Sequence, residues 1–274
     1  MDDKNKEEIF SRVTKLIRQN IVKTSHYSKI PHLGSCLSCV DLLVFLYWFE
    51  LNFDLENLND PNRDIFVLSK GHGAPALFQV LAERGFFDKS LLDTFGKNGS
   101  FFHEHPPAPG YINGIEAATG SLGHGFPMAV GMALSNKIKG IKSQCYVLLS
   151  DGECNEGSIW ESAMLAPKLK LDNIIAIVDY NKWQATGRSK EIMSLEPLAE
   201  KWKAFGWEVQ EINGNSFTDI NEAFKKKRAF GKPSILISHT IKGKGVSFME
   251  DNNNWHYRVP NEEELNAALK ELVK

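Results

Sequence analysis

Cysteine, net charge and long apolar runs are all scarce in this 274-residue chain. It has four cysteines and a formal charge of −2. That charge gives no attraction to nucleic acid or to an anionic membrane. The most apolar run, residues 42–49 (LLVFLYWF), is far too short to span a bilayer and reads as a buried helix. The start, MDDKNKEEIF, is acidic and lacks the apolar centre of a signal peptide. A cytoplasmic protein is the expectation. Cys36 and Cys39 have C-x-x-C spacing, but Cys145 and Cys154 do not supply the second pair that a zinc site wants, so core cysteines on a helix are the better reading.

Hydrophobic content of 42% and charged content of 24% are ordinary for a globular domain. The length suits one large α/β domain or two small ones. Residues 4–25 carry a helical stripe of Ile9, Phe10, Val13, Leu16, Ile17 and Ile21. Pro31 and Gly34 then break the backbone before a second helix that runs to about Glu50. Strands are expected at 64–68, 146–149, 174–178, 207–212 and 234–240, and helices at 195–205 and 217–230. A last helix starts from Asn261, with Glu264 in the capping-box position. This alternation predicts a doubly wound, mostly parallel sheet with helices on both faces.

The richest stretch is 146–187, where two apolar runs bracket a helical pattern as in a β-α-β unit. The first run ends in Ser150, Asp151 and Gly152, the second in Asp179, Tyr180 and Asn181. Ligands collect at the carboxyl ends of strands in open α/β sheets. Asp151 and Asn181 would offer oxygens there to a hard divalent cation, which often shares its shell with a phosphate. Four histidines, His32, His72, His105 and His256, fall in separate glycine- or proline-containing loops near strand ends or helix starts. Each alone is an ordinary loop histidine; together, beside an acidic motif, they point to one polar pocket.

These motifs resemble the transketolase family. S-D-G-E-C-N-E-G followed by Asn181 in D-Y-N-K-W is similar to the G-D-G…N signature of thiamine-diphosphate enzymes. S-K-G-H-G, A-T-G-S-L-G-H-G, I-P-H-L-G-S-C-L-S and W-H-Y-R-V-P resemble further segments of that family, and the matches span about residues 10–260. The resemblance implies thiamine diphosphate with Mg²⁺ (or Ca²⁺) held by Asp151, Asn181 and the backbone carbonyl of Trp183. It implies that Gly152 lets the backbone approach the diphosphate and that Gly120, Ser121 and Leu122 meet the cofactor. His72 and His256 would contact the diphosphate or line the route to the thiazolium. His32 and His105 would bind ketose hydroxyls and assist proton transfer, with His103 the alternative to His105. Glu156 would lie at a subunit interface and touch the glutamate that protonates the cofactor pyrimidine; read without the family, it is an acidic residue in a helix's first turn.

The resemblance covers only the diphosphate-binding part of a full transketolase. It therefore implies that residues 1–274 form a single diphosphate-binding domain of a split enzyme. A separate partner subunit would carry the pyrimidine-binding domain, in an α2β2 assembly acting on sugars or sugar phosphates, and the chain alone would have almost no activity. Departures cluster at the substrate end. Pro31 and Leu33 flank His32, His124 replaces a common Gln, Ala185 a larger aliphatic residue and Tyr257 a Gly. Two other readings stay open: a 1-deoxyxylulose-5-phosphate synthase-like or 2-oxo-acid decarboxylating subunit, and a non-catalytic scaffold.

Overall fold

Five strands form one all-parallel sheet in the order β1-β2-β3-β5-β4. They are β1 (Ile65–Leu68), β2 (Cys145–Ser150), β3 (Ile174–Tyr180), β4 (Glu208–Asn213) and β5 (Ser234–His239). The structure, a computed structural model, describes residues 1–273. Every residue of β2 and β3 is buried, as expected of strands covered on both faces.

Alternation along those strands feeds two separate cores. Tyr146, Leu148, Ile175, Ile177 and Leu236 face one, with α1 (Asp3–Ser28), α2 (Leu33–Ser38), α3 (Val40–Phe45), α4 (Ala74–Arg84), α9 (Phe217–Lys225) and α10 (Glu262–Val273). Val147, Leu149, Ala176, Val178 and Ile235 face the other, with α5 (Gly125–Lys139), α6 (Gly157–Lys168) and α8 (Leu198–Phe205). A short α7 (Ser189–Ile192) follows β3. The doubly wound sheet is as the periodicity predicts.

Local chemistry explains the ends. Asn261 Oδ1 accepts from the Glu264 N–H at 2.9 Å and Glu264 Oε2 from the Asn261 N–H at 2.9 Å, a reciprocal capping box. Two helices differ from expectation. The second is interrupted at Cys39 and finishes as a π-turn over Leu46–Glu50. The break leaves the Ser35 carbonyl free to accept from a lysine and the Ser38 hydroxyl free to donate to an aspartate. The helix from Phe217 stops at Lys225 rather than running to Phe230, because Lys226, Lys227 and Arg228 follow without an apolar stripe. All four cysteines are free and buried; for Cys36 and Cys39 this accords with their reading as core residues, although Cys39 falls at the break between α2 and α3. No helix among the described residues is long and apolar enough to cross a membrane.

Candidate active site

The in-register pairing of Leu149 with Val178 and Ser150 with Asp179 brings the ends of β2 and β3 side by side. Asp151, wholly buried, follows the first, and Asn181, also buried, follows the second. Asp151 accepts from the Gly152 N–H at 2.9 Å and from the Ser189 hydroxyl at 2.7 Å. Burial nevertheless pushes its carboxyl up to about 6. A carboxylate kept that dry asks for a cation.

Asn181 Oδ1 accepts from the Trp183 N–H at 3.1 Å. Trp183 and Arg188 then face each other across a short antiparallel bridge. That bridge is closed by Ser189 N–H to Lys182 O at 3.0 Å and Gln184 N–H to Gly187 O at 2.9 Å. Trp183 and Arg188 are thus the non-hydrogen-bonded pair, which leaves the Trp183 carbonyl outside the ladder. Carboxylate, amide oxygen and carbonyl on one loop system form an all-oxygen set suited to Mg²⁺ or Ca²⁺ completed by phosphate oxygens. Among the described residues no three His, Cys, Asp or Glu side chains group as a metal cluster.

Beneath it lies a buried ion pair that the sequence did not single out. Lys70 donates to Asp179 and, at 2.9 Å, to the Ser35 carbonyl; both charged side chains are shielded from solvent. Asp179 also accepts from Ser38 at 2.6 Å and from Thr240. Burial opposes the lysine's charge, but the adjacent carboxylate more than restores it and holds the ammonium above its ordinary value.

Three of the four expected histidines converge. Ring centres are 4.9 Å apart for His32 and His256, 5.5 Å for His32 and His72, and 6.1 Å for His72 and His256. The His32 N–H donates to the His256 carbonyl at 2.6 Å, and His32 takes a left-handed backbone (φ 66°) to do so. Burial, with neighbouring positive charge, lowers His32 to about 4, His256 to about 3, and His72 well below its usual value. All three are therefore neutral near pH 7. The Nδ1 of His32 is buried without a hydrogen-bond partner, which leaves it a bond to make with a ligand.

His105 stands apart from the trio. It is exposed, with its ring against Gly120, where a Cβ would come 3.2 Å from its Cδ2. It still lies close enough to act electrostatically on His32 and His72. His103 is exposed as well. Tyr257 rims the trio, its ring centre 4.7 Å from that of His256 and 5.9 Å from that of His32.

The glycine turns pack backbone to backbone. A Cβ on Gly71 would sit 2.7 Å from the Gly120 nitrogen, so no side chain fits where the two loops meet. The buried Glu153 ties them to β2: it accepts from the Ser69 hydroxyl, from the Gly123 N–H at 3.0 Å and from the Ser150 N–H at 3.3 Å. Ser121 is exposed and Leu122 half-buried beside this knot, while Gly152 is half-buried below it. Glu156 precedes α6 as its N-cap residue, makes no side-chain cap bond and is exposed.

Sequence reasoning missed Lys242. Buried in the I-K-G-K-G segment, it donates to Nδ1 of His256 at 2.9 Å and to Asn253 at 2.7 Å. Burial lowers its ammonium to about 7, with Asp151 working against the shift. The flanking glycines were its only signal, since a lysine in a polar loop is ordinarily solvated.

Residues 9–272 match the family described as "Transketolase, thiamine diphosphate binding domain". The chain belongs to the transketolase family. It is 42% identical over 256 residues to one subunit of an apulose-4-phosphate transketolase from Phocaeicola vulgatus, covering 93% of this chain and 90% of that one. It is 45% identical over 246 residues to one subunit of a 6-deoxy-6-sulfo-D-fructose transketolase from a Clostridium species, covering 89% of each. Against human transketolase the identity is 32%, over 93% of this chain and 40% of the human one. The solved transketolase from Campylobacter jejuni superposes with a TM-score of 0.87 at 28% identity, over 96% of this chain and 42% of that one. The chain thus spans about two fifths of the full-length transketolases and nine tenths of the two subunits.

Proposed function

We propose that this chain is the diphosphate-binding subunit of a split, cytoplasmic transketolase that moves a two-carbon ketol unit from a ketose or ketose phosphate to an aldose. The observation that carries this reading is the convergence of His32, His72 and His256 beside the oxygen set of Asp151, Asn181 and Trp183, at the carboxyl end of one sheet. Residues 1–274 would act as a single domain, with a partner supplying the pyrimidine-binding domain in an α2β2 assembly. Two similar proteins named as transketolase subunits, of nearly this length, support the division of labour.

Thiamine diphosphate, when bound, supplies the nucleophilic carbon and electron sink that let a C–C bond beside a ketose carbonyl break and be remade. The chain's own residues bind and orient. Asp151, Asn181 and the Trp183 carbonyl hold Mg²⁺, and Gly152 keeps the diphosphate's approach clear. Gly120, Ser121 and Leu122 meet the cofactor's rings. His256 accepts from Lys242 through Nδ1 and so presents an Nε2–H donor outward. His72 lines the same wall. His32, through its free Nδ1, and His105 take the donor hydroxyls and move protons on the substrate; His32, being neutral near pH 7, can accept one there. Glu156, exposed ahead of α6, is free to meet a carboxylate across the assembly.

Calorimetry of the chain mixed with its partner, with thiamine diphosphate and Mg²⁺, tests this reading, followed by turnover on a ketose phosphate and on pyruvate. Metal-dependent binding and ketose turnover are expected, both lost in Asp151→Ala and Asn181→Ala. Full affinity in both variants would overturn the metal assignment. Turnover of pyruvate alone would overturn the transketolase reaction, and no cofactor binding at all would make the chain a scaffold.

A further inference from the structure

Asp251 is remote in sequence from the metal loop, yet it gathers three hydrogen bonds from it. Its carboxylate accepts from the Trp183 indole N–H at 2.8 Å and from both ends of the Arg188 guanidinium at 2.6 Å each. That guanidinium lies over the Trp183 ring, 3.8 Å from its centre. A two-pronged arginine–carboxylate bond stacked on an indole is far more directional than an ordinary surface ion pair. Asp251 itself takes a left-handed backbone (φ 54°), and its N–H donates to the Lys242 carbonyl at 2.8 Å. One residue therefore joins the 181–189 loop to the segment that carries Lys242 and His256.

We infer that Asp251 is a positioning residue: a latch that holds the 181–189 loop in its metal-ready shape before any ligand arrives. Trp183 and Arg188 occupy the non-hydrogen-bonded pair of their bridge, so their side chains are close and both project to Asp251. The other end of the loop is fixed by the Ser189 hydroxyl on Asp151 at 2.7 Å. Between those two ties stands the Trp183 carbonyl. An unlatched loop would have to be ordered each time metal binds, at the expense of affinity. The inference rests on the metal reading proposed above and adds to it a residue that touches neither metal nor cofactor.

The test compares Asp251→Ala, Asp251→Glu and Trp183→Phe with the parent chain, each with its partner, in Mg²⁺ titrations at saturating thiamine diphosphate. Hydrogen exchange of residues 182–189 is measured on the same chains without ligand. Ordering even one backbone residue costs enough to shift an equilibrium about tenfold, so Asp251→Ala should weaken Mg²⁺ binding by at least about that factor. Its amide exchange in the loop should accelerate while its melting temperature stays near that of the parent. Trp183→Phe, which removes one donor and leaves an aromatic ring and the backbone carbonyl, should fall between, and Asp251→Glu should recover part of the affinity. Unchanged Mg²⁺ affinity together with unchanged loop exchange in Asp251→Ala would overturn the latch while leaving the metal site standing. A parent chain that shows no Mg²⁺-dependent binding would overturn the metal reading and the latch with it.

Discussion

The side-chain nitrogen of Lys242 lies 2.9 Å from Nδ1 of His256, and solvent reaches neither group appreciably. Such a pair fixes the histidine's tautomer and keeps it from taking a proton, since a second positive charge beside a buried ammonium is costly.

Replacing Lys242 with Met should therefore let His256 titrate at a higher pH than its present value of about 3, because burial would then oppose protonation without the lysine's help. An NMR titration of the histidine ring protons reads this directly. Turnover of the assembled enzyme should fall about 10²-fold or more, as when a fixed proton-handling or charge-stabilising group is disturbed. An unmoved His256 titration would show that the contact has no electrostatic consequence.

Metal affinity should depend on pH through Asp151. Its carboxyl, raised to about 6 by burial, must be ionised to serve as a ligand. Mg²⁺ binding should be level above pH 7 and weaken by up to about tenfold per pH unit below about 6. The sign for stability runs the other way. A raised folded-state value means that Asp151 favours the fold below its ordinary range and loses that contribution as pH climbs towards 6. Mg²⁺ should accordingly raise the melting temperature more at pH 7 than at pH 5, and an equal increment at both would exclude Asp151 as a ligand.

Cutting the Lys70–Asp179 pair should be expensive when only one partner is removed. Lys70→Met strands a buried carboxylate and should cost about 3–5 kcal/mol in urea unfolding. Lys70→Met combined with Asp179→Asn removes both charges while one of Ser38 and Thr240, which bond separate carboxylate oxygens, still donates to the amide oxygen and the other can accept from the amide N–H, and should recover much of that loss. A double variant as unstable as the single one would show that the two charges do not depend on each other.

Much of the arrangement was legible because it follows from short periods. The alternation of Tyr146, Leu148, Ile175 and Ile177 against Val147, Leu149, Ala176 and Val178 identifies a strand buried on both faces, and the polar residues that end each run fall at its carboxyl end. His32, His72 and His256 stood out as histidines beside glycine or proline in loops. What the sequence concealed is long-range. Lys70, Lys242 and Asp251 look like ordinary charges in polar turns and Asp179 like one more polar residue at a strand end, and only the fold shows that Lys70, Asp179 and Lys242 are wholly buried and that Asp251 grips a tryptophan across the site. The interruption at Cys39 was hidden for a related reason. The apolar stripe continues through it, and the compensating bonds come from Lys70 and Asp179, distant in the chain.

The register of β2 against β3 sets the site as a phase. Ser150 pairs with Asp179, so the carboxylate comes one residue after its strand's last paired position, and the amide two after Asp179. Deleting one residue within either strand would turn its later side chains to the opposite face. The strand ends that lead into the two oxygen donors would then be out of step, with the donors' chemistry unchanged and their meeting point gone. Insertions in this protein should therefore be tolerated in the loops that cross its faces and excluded from residues 145–151 and 174–181, whatever the inserted residue.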